Sequence, residues 1–265
     1  MNVLDPGFGP LDQQLWQVLF LSVRIGAALL AAPVLGGMTV PLQVRALLAL
    51  AFGLFIAIWA PLPPAPAMMS FAAVLAVVQE VVIGAALGFV LQIAFAVPLI
   101  AAEQIAGTMG LAIATSIDPS SGAQSGALGS YFSLLLTLLF FAIGGHLLWF
   151  ELVIESYRLL PAGALADTEA LGRNMVSFMG LGLATAAAIA LPVVVVLLLV
   201  QTVTGVISRS APALNLFALG LPAGVLAGIT ALIIVMPIVI EQFTFLLETA
   251  LLQSAELVSI GGTAT

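Results

Sequence analysis

The chain is a succession of long apolar runs separated by short clusters of proline, glycine and polar residues. About 20 apolar residues suffice for a helix to cross a bilayer. Leu15 to Leu35 meets that length and carries Arg24 inside it. Pro33, Gly36-Gly37 and Pro41 then mark a tight turn. Val44 to Ala60 predicts a second helix. It is closed by Pro61-Leu-Pro-Pro-Ala-Pro66, where four prolines in six residues enforce a rigid extended link. Phe71 to about Ile93 predicts a third helix, with Glu80 in it. Pro98 is expected to kink or end the helix beyond it, and Leu99 to Ile117 to be helical only in part, weakened by Glu103, Gln104, Gly107 and Gly110. Asp118-Pro-Ser-Ser-Gly122 reads as a turn. Ala127 to Phe150 predicts a strong helix interrupted at Gly144-Gly145-His146. Glu151 to Asn174 holds six of the 17 charged residues and Pro161-Ala-Gly163, which predicts a solvent-exposed link. Met175 to Val203 and Leu221 to about Leu247 predict the last two long helices. No repeat and no soluble domain boundary shows. The expectation is one all-α, membrane-associated unit over residues 1–265, with flexible ends at 1–14 and 257–265.

Between the last two helices lies the most informative stretch, Gly205 to Pro222. It sets Arg209 between two uncharged runs, 35 residues from Asn174 to Ser208 and 31 from Ser210 to Ile240. Two prolines, Pro212 and Pro222, are expected to break helix there. Lipid tolerates no unsatisfied backbone, so such a break belongs at an interface, in water or inside an assembly.

Composition sharpens this picture. Of 265 residues, 12 are acidic, five are arginine and 63% are hydrophobic, whereas a soluble domain carries roughly a quarter charged residues. The chain needs lipid, partner chains or both. Lysine is absent and the net charge is −7. That argues against nucleic acid, whose phosphates demand clustered cations, and against a polybasic lipid tether. With no cysteine there is no disulfide, iron–sulfur cluster or thiol nucleophile. Asp5 and Asp12 precede the first apolar run, unlike a cleavable signal, so this segment is expected to stay on the mature chain. Five arginines in four places give little orientation bias, which suggests that simple threading through the bilayer is the wrong picture.

Three groups of residues invite a functional reading. Gly84 and Gly88 form one GxxxG, and Gly220, Gly224 and Gly228 a longer one. Such spacing lets backbones approach closely. Packing inside the chain is the expectation for Gly84 and Gly88, while for the longer repeat packing inside the chain and between subunits stand even. Arg24, Glu80 and Glu241 are charges embedded in apolar runs, costing at least about 2.5 kcal/mol each if unpaired at the bilayer centre. Pairing is the expected answer; Glu80 as a proton carrier lacks a relay of neighbouring acids. Gly107-Thr-Met-Gly-Leu-Ala-Ile-Ala-Thr-Ser-Ile-Asp118 is small, apolar and broken. On composition alone it reads as an interfacial loop, with a pore-occluding loop as the alternative. His146 is the only histidine, with no carboxylate at i±4 to build a zinc site. No catalytic constellation, phosphate loop, metal site or cofactor motif is found, so an enzyme is not expected.

Taken in order, several elements resemble one family. They are Arg24 with Pro33, Pro41 and Arg45; Glu80 with Gly84 and Gly88; Gly107-x-x-Gly110-Leu-Ala with Asp118-Pro119; Gly145-His146; and Pro161. The last is Ser208-Arg209-x-x-Pro212-x-x-Asn215-x-Phe217-x-x-Gly220-x-Pro222. The pattern is similar to that of the FliR family of flagellar type III export-gate subunits and its virulence-secretion homologues, over nearly the whole chain. The resemblance implies broken helical hairpins packed into a hetero-oligomeric gate with FliP and FliQ, associated with FlhB, in the bacterial inner membrane at the flagellar basal body. The gate would project toward the periplasm and pass unfolded export substrates. It implies that Gly107, Thr108, Met109, Gly110, Leu111, Ala112, Ile113, Ala114, Thr115, Ser116, Ile117 and Asp118 are the channel plug, reversing the preference drawn from composition. Ile113 and Ser116 depart from the bulky aromatics common in relatives. Arg209, Pro212, Asn215, Phe217 and Pro222, with Gly84, Gly88, Gly220, Gly224 and Gly228, are assigned to subunit packing. A virulence-export subunit remains the near alternative and a small-solute transporter or channel the distant one. A transporter would predict an inverted repeat, which is not detected.

Overall fold

A computed structural model describes residues 10–37, 40–59, 65–111, 126–164, 167–210 and 216–261; the side chains of 10, 216–219 and 257–261 are not described. These residues form helices α1 (Pro10–Ala31), α2 (Leu42–Trp59), α3 (Phe71–Thr108), α4 (Ala127–Ala142), α5 (Gly145–Leu159), α6 (Thr168–Ser210) and α7 (Leu216–Gly261). The chain is all-α. Among the described residues five helices are long and apolar enough to cross a membrane, and α4 with α5, bent by 68°, makes a sixth if the pair is one span.

The helices outrun their expected limits. α1 starts at Pro10, a residue suited to a helix's first turn because it has no N–H to leave unsatisfied. The expected flexible end 1–14 is therefore helical from residue 10, and α7 likewise runs into 257–265 as far as Gly261; the remaining residues of both ends lie outside the described ones. Pro98 neither ends nor divides α3, and Pro222 lies inside α7. A proline in a helix interior costs about 3 kcal/mol. In apolar surroundings, abandoning the helix would strand many more backbone groups. Arg209 lies within α6, which runs to Ser210, and α7 begins at Leu216; the expected break at Pro212 falls outside the described residues.

The predicted polar link from Glu151 to Asn174 is mostly helix. α5 continues to Leu159 because Trp149, Val153, Ser156 and Tyr157 form a buried stripe. Its charges lie on the other side, where Glu155 pairs with Arg158 at 3.2 Å. The Arg158 guanidinium also covers the Trp59 ring at 4.4 Å. Asp167 then starts α6 as an N-cap, its Oδ1 accepting the Glu169 and Ala170 amides at 3.0 Å. Glu169 pairs with Arg173 one turn on. These charges are helix surface and cap, not loop.

The chain divides into two compact units. The first comprises Met1–Gln92, Gly144–Phe178 and Thr249–Thr265. Its centre is α1, whose Phe20, Leu21, Arg24, Ile25, Ala28, Leu29 and Ala32 are all buried, a stripe of helical period. α2 lies on one side of α1, with Gly53 over Val18 and Ser22. The first half of α3 lies on another, through Gly84 and Gly88. A Cβ on Gly84 would strike the Arg24 carbonyl oxygen, and one on Gly88 the Ala28 carbonyl. Only glycine allows backbones so close. The second unit comprises Ile93–Ile143 and Met179–Glu248. There Phe95 meets Phe140 and Phe243 edge-on, with centroids 5.3 and 5.2 Å apart, joining α3, α4 and α7. Gly182 on α6 admits Val97 and Ile93.

Gly84 and Gly88 therefore pack α3 on α1 of the same chain, the internal packing expected from their spacing. Replacing Gly84 by leucine should push α1 from α3 and prevent accumulation of folded protein. Limited proteolysis of the membrane fraction checks this: wild-type resistance in Gly84→Leu would disprove the close approach.

Candidate functional site

Two clusters gather the residues singled out in the sequence. The first is a polar core inside unit 1. Arg24 and Glu80 are both 0% exposed. Arg24 Nε donates to Glu80 Oε2 at 2.8 Å and Nη2 to Oε1 at 3.0 Å, a fork-to-fork pair. Nη1 donates to the Ser156 carbonyl at 2.9 Å and to its Oγ at 3.1 Å. The Tyr157 ring stacks under the guanidinium at 4.2 Å, and its hydroxyl donates to the Leu21 carbonyl. Glu80 Oε1 also accepts the Gly163 amide at 3.0 Å. Four parts of the chain thus converge: α1, α3, α5 and the turn after α5. The pairing expected for Arg24 and Glu80 is what forms. Ser156, Tyr157 and Gly163 were not foreseen as members, since nothing in their local sequence marks them.

Glu241 does not join this cluster. It is exposed on α7, and its reading as a third buried charge is corrected. The buried stripe there runs through Val239, Phe243, Leu246 and Leu247, and position 241 falls about 200° around the helix from 239 at about 100° per residue.

The second cluster lies in unit 2 at the end of α3, where the Gly107–Asp118 segment begins. Residues 107–111 are described; Ala112 to Asp118 lie outside the described residues, as do Pro212 and Asn215. α3 stops in a Schellman motif. The Leu111 amide donates to the Ala106 carbonyl and the Gly110 amide to the Gly107 carbonyl, both at 3.1 Å. Gly110 has φ +84°, the left-handed region that a residue with a Cβ enters only at a cost. Met109 is 3% exposed and inserts between the backbones at Gly224 and Gly228. A Cβ on Gly228 would stand 2.6 Å from the Met109 sulfur, and one on Gly224 3.3 Å from its carbonyl oxygen. Gln201 of α6 donates from Nε2 to the Thr108 carbonyl. Glu103 Oε1 accepts the Gly126 amide at 3.3 Å, at the start of α4. Gly224 and Gly228 on α7 are therefore a receptor for a methionine of the same chain, the internal one of the two packings their spacing allowed. Gly220 is half-buried, Pro222 is exposed, and Phe217 lies in α7. Arg209 is exposed in the last turn of α6, where a cation complements the helix's negative end.

A model of bacterial export proteins, family 1, matches residues 15–250. The chain belongs to this family. The FliR flagellar biosynthetic protein of Escherichia coli K12 is 32% identical over 86% of both chains. That of Pectobacterium carotovorum is 31% identical over 88% of this chain and 89% of its own. The Shigella sonnei surface presentation of antigens protein SpaR is 30% identical, but over 54% of this chain and 55% of its own. The family match takes in both clusters: Arg24, Glu80 and Ser156 in unit 1, and Met109, Gln201 and Gly228 in unit 2.

In this family member the buried pair has a testable energetic signature. Removing one partner of a buried ion pair costs about 3–5 kcal/mol, while replacing both with apolar groups is often neutral. Arg24→Ala and Glu80→Ala are each expected to unfold at markedly lower denaturant than wild type in detergent, with Arg24→Met/Glu80→Leu regaining most of the loss. Single variants that unfold with wild type would show that the pair holds nothing together.

Proposed function

We propose that this protein is a structural, non-catalytic subunit of the flagellar type III export gate, through which unfolded flagellar proteins leave the cell. The observation that carries the reading is the family match over residues 15–250, with FliR proteins aligned along 86% or more of both chains. The relative named for surface presentation of antigens aligns over about half, which favours flagellar over virulence export. The partners are FliP and FliQ, with FlhB associated, in the inner membrane at the basal body and projecting toward the periplasm.

The surface supports a chain that is embedded among apolar neighbours. Leu199, Val203, Leu226, Ile233 and Ile234 on α6 and α7 are all exposed by more than half. Water would not tolerate such a face; lipid or neighbouring subunits would. In this reading the Gly107–Asp118 segment closes the channel until substrate enters. Arg209, at the exposed end of α6, contacts another subunit.

Native mass spectrometry of the chain co-expressed with FliP-like and FliQ-like proteins of the same genome tests the assembly. A single defined hetero-oligomer is expected; a monomer or homo-oligomer that ignores both partners would overturn the reading. Arg209→Ala should weaken that assembly, and intact complex at wild-type yield would remove Arg209 from the interface. Deleting Gly107 to Ser116 should make the assembled gate leaky to small ions, and unchanged conductance would sink the plug assignment.

A further inference from the structure

We propose that the groove between α6 and α7 in unit 2 docks an apolar helix of a different, neighbouring subunit, and that this helix carries a cation which pairs with Glu241. The proposal rests on the export-gate reading and names the chemistry of one contact in it.

Two hollows lie along the seam of α6 and α7. One, of about 310 Å³, is lined by Thr185 and Ala188 of α6 and by Ile238 and Gln242 of α7. The other, of about 430 Å³, is lined by Pro192 and Val196 of α6 and by Ala227, Thr230 and Ile234 of α7. As the α6 positions rise from 185 to 196, the α7 positions fall from 242 to 227. The two helices are therefore antiparallel, and the hollows are successive parts of one groove. At a rise of 1.5 Å per residue, α6 lines it for about 18 Å, or some three turns of helix. Gly180, Ala184 and Ala188 follow one another at four-residue spacing on the exposed side of α6, and a Cβ on Gly180 would meet no atom within 4 Å. Small residues so placed let the backbone of another helix come close.

Charge decides the occupant. Glu241 directly follows the uncharged run from Ser210 to Ile240. It is exposed and has no hydrogen-bond or ion-pair partner among the described residues. It comes eleven residues after Thr230, about three turns and 20° of rotation, so it stands on the rim of the same groove. The side-chain amide of Gln242, in the first hollow, makes no hydrogen bond among the described residues either. A bare carboxylate amid apolar side chains is costly, and an unmatched amide adds to that cost. Lipid chains would fill the groove and leave both groups unanswered. A second copy presenting the same face would bring acid to acid, because Asn174 to Ser208 and Ser210 to Ile240 hold no cation. The next charge along this side of α7, Glu248, is also an exposed acid. An apolar helix of another chain, carrying an arginine or lysine, satisfies the carboxylate and packs on Ala184 and Ala188.

The test uses the chain co-expressed with the FliP-like and FliQ-like proteins of the same genome. Native mass spectrometry reads assembly, and protease resistance of the purified chain reads folding. Glu241→Lys is expected to fold as wild type, because position 241 is exposed, and to lower the assembled fraction on the order of tenfold or more. Glu241→Gln, equal in shape but uncharged, should move in the same direction; wild-type assembly of this variant would show that no ion pair forms. Ala188→Phe fills the groove from an exposed position and should lose assembly too. Assembly untouched by it would refute the docked helix, and phospholipid displaced at the same time would identify lipid as the occupant. Each arginine and lysine in the apolar helices of the two partners is then changed in turn to glutamate. One of these is expected to restore assembly of Glu241→Lys, the compensation that a direct charge pair gives; rescue by none of them would overturn the pairing. If the wild-type chain ignores both partners, the export-gate reading fails and this proposal with it. If wild type assembles and Glu241→Lys assembles equally well, only the proposal fails.

Discussion

A fully buried arginine in an apolar helical protein has to be answered by an acid, and the answer given to Arg24 determines how the first unit is built. The guanidinium directs its donors to Glu80 and Ser156 and rests on Tyr157. One oxygen of Glu80 serves both Arg24 and the Gly163 amide. These partners come from different parts of the chain. Sliding α1 against α3 or α5 by one turn would leave a buried charge unpaired, a penalty of several kcal/mol. Apolar side chains alone would not impose that register, because leucine and alanine faces pack almost equally well in several alignments. The ion pair therefore acts as a key that fixes one arrangement among many.

The close approach of α1 and α3 depends on the same pair. Gly84 lies one turn beyond Glu80 and abuts the carbonyl of Arg24 itself. The helices must come together this tightly for a short, bidentate bond to form between residues on facing surfaces. Glycine and ion pair are thus two halves of one device. A related logic operates in unit 2, where glycines on α7 accept a methionine rather than a helix backbone. There the product is a defined end to α3.

Outside these clusters most of the chain turns apolar side chains outward. For a water-soluble protein such a surface would be an aggregation hazard. For a member of an export family with helices long and apolar enough to cross a membrane, lipid or neighbouring chains can cover it. The structure supplies long packed helices in each unit and an apolar exterior.

The run lengths in the sequence were enough to determine an all-α, membrane-associated chain, because length and apolarity are local properties. They also marked Arg24 and Glu80 as needing a partner, since an unpaired charge in such a run is costly wherever it lies. Gly110 stood out as a helix-weakening glycine for the same local reason. The ordered motifs, from Arg24 to Pro222, pointed to the family. Other features depended on what lies across the fold. Pro98 and Pro222 looked like breaks, but apolar surroundings make a continued helix less costly than exposed backbone. Glu151 to Asn174 looked like a link, but its charges occupy the outer face of α5 and the first turn of α6. Glu241 looked buried, because a run that is apolar all round hides which face turns inward. The two glycine repeats announced close packing without naming a neighbour. Only the tertiary structure decided that these were α1 and Met109, because glycine spacing specifies how near a partner comes and nothing about which one it is.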